Sequence, residues 1–161
     1  SKAVLRAAGI PVPGGGLFDR HAVASGHVIA PPYIVKPNAE GSSVGVYRVL
    51  EGEEPIAAVG ADDWTYGDQV MVEPFIAGKE LAVTVLGEAT GPRALTVTDI
   101  TPTKGFYDYE AKYAPGGSVH KLPADLPPAI FERTLRLSEQ AHAALGCRGV
   151  SRSDYRYDDV K

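Results

Sequence analysis

The sequence predicts an α+β protein built as two small lobes. Three observations carry this. Short runs of β-branched and aromatic residues are separated by glycine and proline turns, the pattern of antiparallel hairpins. One long segment, Pro127 to Leu145, has helical spacing and clear ends. Between two strand patterns, Gly87 to Pro92 forms the best boundary, giving lobes at 1–88 and 89–161.

In chain order, Lys2 to Ala8 is a short helical pattern stopped by Gly9, with Pro11 and Pro13 beyond it. Gly14-Gly15-Gly16 is a link, and Phe18 to His27 is read as a helix. Tyr33 to Lys36 is a strand ended by Pro37, and Val44 to Leu50 is its return strand across the polar loop Asn38 to Gly45. Glu53 to Ala61 is read as helical. Gln69 to Phe75 and Glu80 to Leu86 are strands joined through Ala77-Gly78, the second with Leu81, Val83 and Val85 on one face. Ala94 to Ile100 is a further strand. Pro127 and Pro128 suit a helix start, Ile130, Thr134, Leu137, Ala141 and Leu145 recur on one face, and Gly146 stops it. In the last strand, Val150 to Tyr157, Arg152, Asp154 and Arg156 share a face.

Composition narrows the function classes. The chain of 161 residues is 44% apolar and 22% charged, ordinary for a globular protein. Its net charge of −4 provides no basic footprint, which argues against nucleic acid as a partner. No apolar run approaches the ~20 residues of a membrane span, so no membrane partner is expected. Cys147 is the single cysteine, which excludes an internal disulfide and is read as a small buried thiol.

Three stretches could carry chemistry. Phe106-Tyr107-Asp108-Tyr109-Glu110-Ala111-Lys112-Tyr113 fits neither helical nor strand periodicity and lies between Pro102/Gly105 and Pro115-Gly116-Gly117. By itself it is equally compatible with a packed surface loop and with a functional lid. Lys36, at a strand end, precedes the loop Glu40-Gly41-Ser42-Ser43-Val44-Gly45. Glycine lets such a loop approach phosphate oxygens and serine adds donors, although alone it is also an ordinary hairpin turn. Glu73-Pro74-Phe75-Ile76 ends a strand in a carboxylate and a proline. Pro74 cannot donate to a ladder, so the backbone of Phe75 and Ile76 is expected to leave the sheet and to offer a heterocycle its polar edge. Glu80, a short turn later, could accept from a ribose. There is no G-x-x-x-x-G-K-[ST], no G-x-G-x-x-G, no H-E-x-x-H and no C-x-x-C.

Taken together, these pieces resemble the D-alanine–D-alanine ligase family of the ATP-grasp superfamily. The resemblance runs in order through Ser1-Lys2, Gly9-Ile10-Pro11-Val12, Lys36-Pro37, Glu40 to Gly45, Glu73, Gly78-Lys79-Glu80, the 106–113 stretch, Leu145 to Gly149, and Arg152-Ser153-Asp154. It implies an ATP-grasp fold, in which nucleotide is held between antiparallel sheets, with the second lobe incomplete here. Lys2, Lys36 and Lys112 would hold ATP phosphates, with Ser43 a further contact; Glu73, Phe75 and Ile76 would frame adenine, and Glu80 the ribose. Ser42 and Tyr113 would position the first D-alanine, Arg152 would stabilise an oxyanion, and Asp154 would ligate Mg²⁺, or Mn²⁺ in its place. The family activity makes D-alanyl-D-alanine for peptidoglycan in the bacterial cytoplasm, and the complete protein would be a homodimer using D-alanine and ATP. A D-alanine–D-lactate or other carboxylate–amine ligase, or an ATP-binding module without turnover, is the alternative. The family's glutamate from a preceding lobe and its later Glu and Asn metal ligands have no counterpart here. The 161 residues are therefore expected to make no dipeptide by themselves.

Overall fold

In a computed structural model of the chain, residues 1–41, 43–103 and 117–158 are described. The chain divides into two compact units: one holds Pro13–Ile76, the other Ser1–Val12 together with the strands and helix from Ala77 onward.

The first unit is a four-stranded antiparallel sheet in the order β1-β4-β2-β3, made of β1 (Gly16–Asp19), β2 (Tyr33–Pro37), β3 (Tyr47–Val49) and β4 (Gln69–Pro74). Alternation decides its faces. Tyr33 and Val35 of β2, Val49 of β3, and Val70 and Val72 of β4 turn inward, where they are fully buried with Val23 and Val59. Each such valine contributes about 1.5–3 kcal/mol of apolar burial. The second helix, α2 (Arg20–Ser25), supplies Val23, and Asp19 caps it by accepting from the amides of His21 and Ala22. A 3-10 turn at Ala57–Gly60 supplies Val59. Arg20 ties the two together by donating to the carbonyls of Val59 and Ala61.

The second unit pairs β5 (Lys79–Glu88), β6 (Gly91–Pro102), β7 (Ser118–Lys121) and β8 (Val150–Tyr157) in the antiparallel order β7-β6-β5-β8. The chain's opening helix, α1 (Lys2–Ala7), belongs to this unit, as does α3 (Pro128–Ala144). Leu81, Val83, Val85 and Val97 form the core, with Phe131 and Leu135 of α3 packed on it.

Several expectations change. Phe18 to His27 is not one helix: Gly16–Asp19 is a strand paired with β4, and the helix begins only after Asp19. Glu53 to Ala61 retains only a single 3-10 turn. The α3 stripe keeps Thr134 and Ala141 inward as expected, but Leu145 is 42% exposed, while Ser138 and His142 are buried. Small polar residues can occupy that face because each is satisfied: Thr134 donates to Ile130, Ser138 bonds Thr134 and the Tyr155 hydroxyl, and His142 bonds Ser151. Cys147 is half-buried. Gly87 to Pro92 makes the turn within the β5–β6 hairpin, and β5 hydrogen-bonds both β6 and β8.

Candidate active site

In the first unit the sheet face turned away from the core carries the polar groups. Arg48, Ile34 and Glu73 lie abreast across β3, β2 and β4, with Lys36 and Met71 the next row. Lys36 Nζ donates to Glu73 Oε2 at 2.6 Å. The Glu73 side chain is only 10% exposed and that of Lys36 is 39%. A carboxylate so enclosed is costly unless a cation accompanies it, and Lys36 supplies one while keeping part of its ammonium accessible. Strand pairing thus brings together two residues that lie far apart in sequence.

Phe75 follows at the end of β4, with the Arg48 guanidinium 5.5 Å above its ring. The expectation for its backbone changes here. Pro74 still pairs with Tyr33, and the Phe75 amide donates to the Pro32 carbonyl at 2.9 Å. That N–H is engaged within the unit, so it is not a donor left over for an incoming ring. In the glycine–serine loop, Ser43 holds a left-handed conformation with φ 61°, uncommon for a residue with a side chain. The Val44 amide closes a turn onto the Gly41 carbonyl, and Gly45, at φ 63°, packs against Pro37.

In the second unit the face of β5 and β8 turned away from α3 carries Glu80, Ala82 and Thr84 opposite Arg156, Asp154 and Arg152. Arg152 donates twice to Asp154, Nε to Oδ1 at 2.8 Å and Nη2 to Oδ2 at 3.0 Å. Both side chains are at least half exposed, so the fork is a weak contributor to stability and stays accessible to a ligand. Glu80 meets Arg156 across the ladder. Beneath the sheet, Lys79 pairs with Asp99 at 2.9 Å and reaches the Asp125 carbonyl. Lys2 sits in the first turn of α1, half-buried.

Residues 4–161 match the family described as D-ala D-ala ligase C-terminus. The chain belongs to this family. Family members among curated proteins include the D-alanine–D-alanine ligases of Caulobacter vibrioides and Caulobacter sp. (strain K31), each 65% identical over 99% of this chain. The chain spans about half the length of these relatives, 50% in each case. Solved structures share the fold. The VanG D-Ala:D-Ser ligase from Enterococcus faecalis aligns with TM-score 0.77 at 29% identity, covering 98% of this chain and 47% of that one. The D-alanine–D-alanine ligase from Bacillus anthracis complexed with ATP aligns with TM-score 0.67 at 26% identity, covering 98% and 50%. The fold class is therefore ATP-grasp, α+β, as the sequence predicts.

Of the expected site residues, Lys36 and Glu73 are joined in one unit, which Phe75 and Ile76 also belong to, and Glu80, Arg152 and Asp154 share one face of the other. Ser42, Lys112 and Tyr113 lie outside the described residues. The sequence reading missed Arg48, and it placed Arg156 on the Asp154 face without giving it a partner. For Arg156 the available signal was its charge at the alternate strand position to Asp154; for Arg48 no sequence signal pointed to Glu73, since Ile34 of β2 lies between them. Asp154 fits as an oxygen ligand for Mg²⁺: its oxygens have lone pairs beyond those Arg152 uses. Among the described residues no cluster of three His, Cys, Asp or Glu could form a metal site from protein alone, and Mg²⁺ characteristically combines one or two carboxylates with substrate phosphates.

Proposed function

We propose that this chain is the nucleotide-handling part of an ATP-dependent D-alanine–D-alanine ligase that provides the dipeptide for peptidoglycan. The observation that most supports the reading is the high identity to the Caulobacter ligases along nearly the whole chain. The reading extends to a homodimer in the bacterial cytoplasm, with Pro13–Ile76 and the unit from Ala77 onward as the two ATP-grasp lobes.

In this reading Lys36 and Lys2, with Lys112, neutralise ATP phosphates, and Ser43 adds a donor. Glu73, Phe75 and Ile76 flank adenine, while Glu80 accepts from the ribose. The carboxylate of the first D-alanine attacks the γ-phosphorus, giving an acyl phosphate and ADP. The amine of the second D-alanine then adds to that carbonyl, phosphate leaves, and the dipeptide forms. Ser42 and Tyr113 position the first D-alanine. Arg152 faces the oxyanion of the addition step as a fixed cation. Bound Mg²⁺, or Mn²⁺, held in part by Asp154, supplies charge neutralisation on the transferring phosphoryl group.

The test is ATP-dependent phosphate release and product analysis with the full-length protein against D-alanine, D-serine and D-lactate. Dipeptide from D-alanine alone is expected. Preferential D-alanyl-D-serine or D-alanyl-D-lactate formation would reassign the acceptor, and no ATP turnover with any of them would leave only a binding module. Asp154→Asn is expected to raise the Mg²⁺ concentration needed for half-maximal nucleotide binding about tenfold or more, the scale of a lost charged ligand.

A further inference from the structure

We infer that Arg156 is a positioning residue that sets how strongly the nucleotide site selects a ribose over a deoxyribose, by holding the Glu80 carboxylate aimed. The inference rests on the proposed role of Glu80 at the ribose. Arg156 lies directly opposite Glu80 in the β5–β8 ladder. Its Nη1 is 3.4 Å from Glu80 Oε2, and its Nη2 donates at 3.0 Å to the Gly78 carbonyl. One planar guanidinium therefore serves the carboxylate and the turn that leads into it, which a lysine ammonium on a flexible stem does less rigidly.

The surroundings make that cation matter. The Glu80 side chain is only 18% exposed, so loss of this cation leaves a poorly solvated carboxylate that gains by rotating toward water. Ribose hydroxyls need an acceptor, and a carboxylate offers acceptors only. The turn is also fixed from the other side: Gly78 has φ +89°, and the Tyr157 carbonyl fills the space a side chain would need. On the opposite face Lys79 is anchored to Asp99 and to the Asp125 carbonyl. With the backbone held at three points, the Arg156 contact acts on the Glu80 side chain rather than on the turn alone.

A strand staple without this role would weaken all nucleotides alike, so the readout is a ratio. Binding of ATP and of 2′-deoxy-ATP to the full-length protein is measured by calorimetry for the wild type, Arg156→Met, Glu80→Ala and the double variant. The wild type is expected to prefer ATP about tenfold to a hundredfold, the range for a hydrogen bond to a charged acceptor. Arg156→Met should bring the preference down to the level of Glu80→Ala, with 2′-deoxy-ATP affinity changed less than about threefold, and the double variant should add nothing. Arg156→Lys, which retains the charge, should restore part of the preference. Should the Met variant not fold, Arg156→Gln carries the same expectation. An unchanged ratio in Arg156→Met, or a parallel loss for both nucleotides, overturns the role of Arg156 and leaves the ATP assignment standing. Absence of ATP binding by the wild type, or a full ATP preference in Glu80→Ala, overturns both together.

Discussion

Replacing Gly78 by alanine tests whether the entry to β5 is held by close backbone approach. A Cβ on Gly78 would sit 2.1 Å from the Tyr157 carbonyl oxygen and 3.0 Å from the Asp158 Cα, with φ at +89°. Two costs follow. Holding an L-residue in the left-handed region costs about 1–2 kcal/mol. The overlap lies against backbone, so it is relieved only by moving the end of β8 or the turn by about 1 Å, and overpacking of this kind adds roughly 1–3 kcal/mol. Gly67→Ala provides the internal control: its φ is +83° and nothing lies within 4 Å, so it carries the conformational cost alone. At about 2–4 °C per kcal/mol for a chain of this length, Gly78→Ala should melt some 2–12 °C below Gly67→Ala by circular dichroism. Because Glu80 pairs with Arg156 two residues beyond Gly78, the same shift should weaken ATP binding, as a misplacement near 1 Å can cost on the order of a hundredfold in rate. Equal melting temperatures for the two variants, with ATP affinity unchanged, would show that the Tyr157 contact does not fix this turn.

Lys36→Ala removes the cation beside Glu73 and should weaken ATP binding by about 1.5–3 kcal/mol, the range for a charge-assisted contact; isothermal calorimetry giving wild-type affinity would count against the phosphate assignment. Tyr113→Phe should lower dipeptide formation more than ATP affinity, and the reverse pattern in steady-state kinetics would move Tyr113 to the nucleotide. Burial pushes the Tyr155 phenol above its ordinary range, only partly opposed by its hydrogen bonds to Ser138 and Ser153. The folded state then keeps this proton after the unfolded chain has lost it, so the contribution is present below about pH 10 and is lost as pH rises through the folded value. Tyr155→Phe should accordingly flatten the fall in stability above about pH 10 in urea titrations, and an identical slope to the wild type would refute this.

The elements legible from sequence were those whose signal is local. α3 combines prolines at its start, helical spacing and Gly146 at its stop, and it forms within a residue or two of the expected ends. β5 and β8 show period-2 alternation long enough to choose a face. The motif residues around Lys36, Glu73, Glu80 and Asp154 were also readable, because their types and order resemble a family. What tertiary structure decided depends on partners distant along the chain. Gly16–Asp19 and Ser118–Lys121 are each 4 residues, too short to show alternation, and they are strands because β4 and β6 offer them hydrogen bonds. The face of α3 was set by the packing of Phe131 and Leu135 on the sheet core; Ser138 is tolerated inward because Tyr155 of β8 satisfies it, and Leu145, past the helix end, stays exposed. The β5–β8 ladder joins segments about 70 residues apart, a pairing no local window contains. Lys36 beside Glu73 and Arg156 beside Glu80 arose in the same way, since strand register, and no spacing in the sequence, determines which charges meet across a sheet.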